Sequence, residues 1–370
     1  MKTVDRTHTW SACILAVFLV IWGVSPTRAA DTSKTRIVID NAGRRVEIPL
    51  TVNRIACLPG PSYEMVFMLG GKDQICQVRK DHKRAYPLAN LTNPALKGYS
   101  SSLSNINPKA RINIEEFIKL APDVVIYYNV PHALKKFREA RIPVYVYQPA
   151  KQTLDLDEII EDQKRSFRSL ADLIGGTAPG QAEKWCAYYE EVVSLIRSRT
   201  RDIPDTRRPR TYVGNSWGTN PLATWGDLAH TFSIHLCGGI CVTKDIKGPR
   251  FPEVNLEQLI AWNPDVIIMD NHGREPDTLI RNIYEDSNWS VMSAVTNKRI
   301  HRIPSGVFFL DKGSSRPVYL LWLAKQLCPE RFGDINMVQR IQYFFKTFYH
   351  FDLSEEDAGH ALRGWDLLKG

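Results

Sequence analysis

Residues 113–127 read NIEEFIKLAPDVVIY, and residues 255–269 read NLEQLIAWNPDVIIM. At an offset of 142, Asn, Glu, Ile, Pro, Asp, Val and Ile recur at matching places. Asn113 and Asn255 suit the position that caps a helix, and a glutamate follows each in the first turn, where the helix dipole favours negative charge. Pro122 and Pro264 cannot continue that helix. Val124-Val125-Ile126 and Val266-Ile267-Ile268 are unbroken β-branched runs, the pattern of strands covered on both faces of a parallel sheet. A short helix running into a buried strand, twice in one chain, predicts a duplicated α/β unit.

The flanks repeat in the same spirit. Arg54–Leu58 reads as a strand entering the Pro59-Gly60-Pro61 turn, followed by an amphipathic stretch Tyr63–Leu69 and a short strand Ile75–Val78. Ala133–Ala140 then reads as helix and Val144–Tyr147 as strand. In the second half, Arg210–Val213 opens a strand, Trp225–Leu236 is helical, Arg281–Ser293 is helical in part and Arg299–Ile303 is a last strand. Between the halves, Leu156–Leu173 and Ala182–Arg199 carry helix-period apolar residues. After Pro329 come helices at Met337–Tyr349 and Ser354–Leu362, where Ser354 with Asp357 makes a capping-box-like start. The predicted fold class is α/β: two similar, mostly parallel-sheet lobes joined by a long α-helix, with a ligand cleft between them. The expected boundaries are an N-terminal lobe at 36–152, a helical linker at 153–206, a C-terminal lobe at 207–328 and a helical tail at 329–370.

Residues 1–29 have the layout of a cleaved signal peptide: Lys2 and Arg6, an apolar-rich run from Ala12 to Val24, then small residues around Arg28. That run is 13 residues long, against roughly 20 for a membrane span. The expectation is a mature protein in the periplasm, with no later segment apolar enough to cross a bilayer. Six cysteines (Cys57, Cys76, Cys186, Cys237, Cys241, Cys328) follow the leader, in a compartment that permits disulfides, and spacing does not choose a pairing. Apolar content of 44% supports real cores, and the net charge of +8 is spread thinly except at Arg207-Arg208-Pro209-Arg210. A nucleic-acid partner is not expected from so diffuse a distribution.

In order and spacing, several motifs resemble the helix-linked class of periplasmic substrate-binding proteins of ABC importers, which serve iron–siderophores, haem, cobalamin and related metal chelates. They are Ile39–Arg44 with Val46–Pro49, Asn53-Arg54-Ile55 and its turn, both Pro-Asp-Val strands, Leu236–Gly239, and Phe251–Asn255. The similarity covers nearly all of residues 36–328. It implies a rigid bilobal protein, a monomer and not an enzyme, that captures a metal chelate, foremost an iron–siderophore-type complex, and delivers it to a membrane permease and its ATPase. Haem, cobalamin or a nickel chelate are the alternative cargoes. The resemblance places ligand contacts on loops that hold Ser62, Tyr63, Arg79, His82, Tyr99 and Tyr128 in the first lobe. In the second lobe they hold Trp217, Asn220, Arg250, His272 and Phe308. Permease docking in this class uses an acid on each lobe: Glu275 or Asp277 fits the second, while the matching stretch Asn129–Leu134 has no carboxylate.

The chemistry of those loop residues is consistent with the role. Tyr128, Trp217 and Phe308 offer flat apolar walls, although aromatics at strand ends also simply close cores. Arg79 and Arg250 present forked donors to the oxygens of an anionic chelate, the plainer alternative being surface ion pairs. His82 and His272 can ligate a metal, but no H-x-H, H-E-x-x-H or acidic cluster builds a site for a bare cation. No resident cofactor is expected, because the metal comes already wrapped in its chelator. A rival class is a serine hydrolase: Gly214-Asn215-Ser216-Trp217-Gly218 matches the G-x-S-x-G elbow after a strand. That elbow needs a helix at once, whereas Thr219-Asn220-Pro221 reads as a loop. A sensory exported module on the same fold is a third reading, distinguished by having no permease.

Overall fold

The structure, a computed structural model, describes residues 34–78, 87–92, 112–149, 155–215, 220–224, 228–246, 252–270, 276–307 and 309–363. The leader expected at 1–29 lies outside them. A hairpin of β1 (Thr35–Ile39) and β2 (Arg45–Pro49) comes first. Its turn is an Asp turn: Asp40 Oδ1 accepts from the backbone N–H groups of Ala42 and Arg44 at 3.0 and 2.8 Å, and Gly43 takes φ +74°. The first lobe follows as β3 (Ile55–Cys57), α1 (Gly60–Val66), β4 (Ile75–Val78), α2 (Pro87–Thr92), α3 (Ile114–Leu120), β5 (Val124–Tyr127), α4 (Pro131–Glu139) and β6 (Val144–Val146). Two long helices, α5 (Leu156–Ile174) and α6 (Ala178–Thr200), lead into the second lobe. It contains β7 (Arg210–Gly214), α7 (Leu228–Leu236), β8 (Ile240–Cys241), α8 (Leu256–Trp262), β9 (Val266–Met269), α9 (Pro276–Glu285), α10 (Ser293–Thr296) and β10 (Ile300–Arg302). The tail is α11 (Arg316–Leu327), α12 (Pro329–Phe332), α13 (Met337–Phe344) and α14 (Glu355–Arg363), with the predicted cap present: Ser354 Oγ accepts from the Asp357 N–H at 3.0 Å.

Each lobe holds one four-stranded parallel sheet, in the orders β4-β3-β5-β6 and β8-β7-β9-β10. The orders are the same once the second lobe is shifted by four strands, so the duplication seen in one segment extends to the whole sheet. β8, only two residues long, completes the correspondence and has no counterpart in the sequence reading, which ended α7 at the Gly238-Gly239 pair. Two residues carry too little pattern to announce a strand.

The repeated segment explains its own residues. Asn113 and Asn255 accept from the N–H groups of Glu115 and Gln258 and cap α3 and α8. Ala121 and Asn263 close those helices at φ +46° and +41°. The aspartate after the proline fastens the neighbouring strand: Asp123 Oδ2 accepts from the N–H of Asn53 and of Arg54, at 2.6 and 2.9 Å, and Asp265 Oδ2 from that of Arg210 at 2.9 Å. Arg54 and Arg210 return the contact by donating to the carbonyls of Ala121 and Leu120, and of Trp262, at the helix ends.

Strand alternation then divides the core. Ile55, Cys57, Val124 and Ile126 of one sheet and Val213, Val266 and Ile268 of the other face one continuous apolar cluster that includes α5, α6, α11 and α13. Ala56, Val125 and Tyr127 face a second cluster under α3 and α4, and Tyr212, Ile267 and Met269 a third under α8 and α9. In the shared core, Trp185 of α6 stacks on Phe167 of α5 at 3.6 Å and on Tyr189 at 5.0 Å. The linker helix is therefore a buried partner of both sheets. Cys57 faces the shared core and Cys76 the outer one, so the strand register keeps these neighbours on opposite sides; all six cysteines after the leader are free thiols. Among the described residues no helix is long and apolar enough to cross a membrane.

Candidate functional site

In sheets of this kind candidate site residues are sought at the carboxyl ends of the strands, here those of β3, β5, β6, β7, β9 and β10. After β5, Tyr128 is half-buried with its ring 5.8 Å from that of Tyr127. Burial, with Tyr128 adjacent, pushes the Tyr127 hydroxyl up to about 12. After β6, Tyr147 is half-buried, and its carbonyl accepts from Asn41 Nδ2 at 2.7 Å, so the β1–β2 hairpin props this strand end. Its hydroxyl is held well above the ordinary tyrosine range by burial first, and then by Glu64. After β7, Asn215 is fully buried at φ +64°, donates to the Asp270 carbonyl at 3.0 Å, and leaves Oδ1 without a partner. Asp270, also fully buried, follows β9.

The segment after β10 crosses to the other lobe. Glu64 on α1 is completely buried, and its Oε1 accepts from the Ser314 N–H at 2.9 Å. Ser314 is also held by Trp185 of α6, whose Nε1 donates to its carbonyl at 2.8 Å, and by the Tyr349 hydroxyl 2.8 Å from its Oγ. One residue thus ties the first lobe, the linker helix and the tail to the second lobe. Asp311, 3% exposed, has Lys312 Nζ 2.9 Å from Oδ2, an ion-pair contact without hydrogen-bond geometry. Arg316 opens α11: its guanidinium lies 5.3 Å over the Phe232 ring, and Nη2 donates to Ser233 Oγ at 3.2 Å. Its Nε has no acceptor, and among the described residues no carboxylate stands within ion-pair distance of it. Burying an unpaired charge costs several kcal/mol after relaxation, so this arginine marks a place where negative charge is wanted.

The structure places the residues expected from sequence as follows. Ser62 Oγ donates to the Pro59 carbonyl at 2.6 Å, and Tyr63 is wholly buried with its ring against Phe67, so both are engaged by their own helix and the core. Tyr128 is at the strand ends, near Tyr147. Asn220 is half-buried and closes its own turn, with Oδ1 accepting from the Leu222 N–H at 2.9 Å. Asp277 is exposed on α9 and paired with Arg302 at 2.5 Å. Arg79, His82, Tyr99, Trp217, Arg250, His272, Phe308 and Glu275 lie outside the described residues. Glu64, Tyr147, Asn215, Asp270, Asp311 and Arg316 were not singled out by sequence. Glu64 left the clearest signal, as a lone carboxylate inside the apolar run Tyr63–Leu69.

Among the described residues, no helix directly follows the hydrolase elbow. Gly214 is explained by packing, since a Cβ there would stand 2.4 Å from the Pro221 carbonyl oxygen. Residues 220–224 form a turn, and the next helix starts at Leu228. Ser216 itself lies outside the described residues. A groove of about 920 Å³ along β1 and α5 is lined by Arg36, Ile39, Glu158 and Arg165 among others, and contains none of the strand-end residues.

The model of the periplasmic binding protein family matches residues 55–307, and the chain belongs to that family. It is 26% identical over 351 residues to the molybdate-binding protein MolA of Haemophilus influenzae, covering 87% of this chain and 93% of that one. It is 25% identical over 262 residues to a vitamin B12-binding protein of Vibrio cholerae, covering 68% and 81%. A periplasmic solute binding protein from Veillonella parvula superposes with a TM-score of 0.74 at 27% identity, covering 89% and 97%.

Proposed function

We propose that this protein captures a compact, anionic, metal-containing solute between its lobes and delivers it to an ABC permease and its ATPase. The observation that carries the solute class is Arg316, a buried guanidinium at the start of α11 with no carboxylate partner among the described residues. An anionic solute supplies the missing counter-charge, and a guanidinium is suited to oxyanions. The likeness to a molybdate-binding protein over most of both chains supports a metal oxyanion as the first candidate. The iron–siderophore-type complex expected from sequence satisfies the same charge and comes second, ahead of haem, cobalamin and nickel chelates. Export through a cleaved leader at 1–29 belongs to the same reading, as does docking of the second lobe through Asp277 or Glu275. Loss of turnover but not of binding on Asp277→Ala in reconstituted vesicles would support that docking role.

The test is a thermal-shift titration of the mature chain with sodium molybdate, ferric dicitrate, a ferric siderophore, cyanocobalamin and haemin. A solute at 100 times its Kd stabilises by about 2.7 kcal/mol, which moves the melting temperature by several degrees. Arg316→Met abolishes the shift while leaving the protein folded, since the apolar stem still covers Phe232. If none of the anionic probes raised the melting temperature at saturation, or if Arg316→Met bound as tightly, the proposal would be wrong.

A further inference from the structure

The contact between Glu64 and Ser314 is more specific than lobe packing requires. Gly313 precedes Ser314 at φ +61°, and a Cβ there would stand 1.9 Å from Glu64 Oε1. Only glycine lets the carboxyl approach this backbone, in a conformation that other residues adopt at a cost. Oε1 receives the Ser314 N–H, while Oε2 is buried without a partner. Asp311 and Ser315, on the same crossing segment, likewise have buried oxygens without hydrogen bonds.

The groups that face Glu64 can be named from each element around it. The crossing segment brings Asp311, with Lys312 paired to it, together with Ser314 and Ser315. The end of β6 brings Tyr147, which also senses Arg316, and the tail brings Tyr349, which also senses Tyr63 of α1. Burial drives Glu64 well above the usual carboxylate range; the hydrogen bonds from Ser314 oppose this, and Asp311 reinforces it. Since Oε1 already accepts a hydrogen bond, the acid proton belongs on Oε2, and Asp311 and Ser315 are among the groups whose influence reaches this carboxyl.

We infer that Glu64 is a positioning residue for the solute site: as a neutral acid it holds the 311–316 segment against the first lobe, and its ionisation loosens that segment and weakens solute binding. It acts through Ser314 on Arg316 and Asp311 and does not touch the solute. The inference rests on the reading of Arg316 as the anion receptor for its effect on binding, but not for its effect on the segment. A carboxyl whose folded-state pKa is raised stabilises the fold fully below its unfolded pKa, and that stability is lost as pH rises through the folded pKa. Once ionised, Glu64 adds a second negative charge beside Asp311, and like charges repel.

Two measurements on the mature full chain separate the readings. Without solute, amide hydrogen exchange of the peptide spanning 309–316, corrected for intrinsic base catalysis, is followed between about pH 6 and about pH 9. Protection is expected to fall with rising pH in the wild type and to stay level in Glu64→Gln, which keeps the acceptor and cannot ionise. Sodium molybdate affinity over the same range is expected to fall about tenfold in the wild type, the equivalent of one pKa unit of differential interaction, and less than twofold in Glu64→Gln. Glu64→Ala should be unprotected at every pH. Equal pH profiles of protection in wild type and Glu64→Gln would overturn the inference. If molybdate bound to neither, the solute reading would fail, and the exchange comparison would still decide the role of Glu64.

Discussion

The two lobes are alike at the amino ends of their sheets and unlike at the carboxyl ends. At the amino ends, Asp123 with Arg54 and Asp265 with Arg210 make the same exchange of hydrogen bonds between a strand start and a helix end. At the carboxyl ends the first lobe presents Glu64, Tyr128 and Tyr147, and the second presents Asn215, Asp270, Asp311 and Arg316. The fastening is a requirement of the unit itself, because each lobe must satisfy the same orphaned backbone groups. The strand ends are released from that requirement, and there the two copies carry different chemistry. On the proposed reading, solute contacts are to be sought where the duplication breaks down.

The largest effect should come from the residue at which the lobes meet. Gly313→Ala adds a clash with Glu64 to a left-handed backbone and should cost about 3 kcal/mol, measured by chemical denaturation. Gly43→Ala, at a similar φ of +74° with nothing within 4 Å, should cost only about 1 kcal/mol. Equal costs would mean that the interlobe approach at Gly313 is not tight.

Next come the fastening aspartates. Asp123→Ala strips an acceptor from two backbone N–H groups and Asp265→Ala from one, so losses of about 1–3 kcal/mol are expected, with the first lobe's the larger. A null effect at Asp123 would break the equivalence of the two amino ends.

A smaller effect is expected in acid. β6 and β10 correspond, yet Tyr145 stands where the second lobe has His301, opposite Ile126 and Ile268 respectively. Burial, with Arg299 adding, lowers His301 to about 4. A base with a depressed folded-state pKa stabilises the fold above its unfolded pKa, about 6.5. That stability is lost as pH falls from about 6.5 toward about 4. His301→Gln should flatten this limb of the melting-temperature profile, whereas Glu64→Gln flattens the alkaline one. A wild-type profile insensitive to either change would remove the titrating contrast between the lobes.

Much of the frame is legible in the sequence. Asn113, Pro122 and the Val124–Ile126 run announce a capped helix, its end and a buried strand through local rules, and Ser354 with Asp357 announces a cap. β8 was not legible, because two residues hold no periodicity. The site was legible only in part. Tyr128 could be placed at a strand end from its position after a buried run, but Tyr63, on α1, went to the core. One residue of helix rotation separates Tyr63 from Glu64, which reaches Ser314, and sequence spacing does not resolve which of the two does so.

The duplicated α/β units, most of their helices and strands apart from β8, and the linker helices follow from the sequence alone, because hydrophobic period, caps and prolines act within a few residues. It took the three-dimensional arrangement to show that Glu64 meets Ser314, 250 positions away, that Gly313 yields to it, and that among the described residues Arg316 has no carboxylate beside it. Those contacts depend on how two separately specified lobes come to rest against one shared core, and no local pattern records which of their ends will face each other.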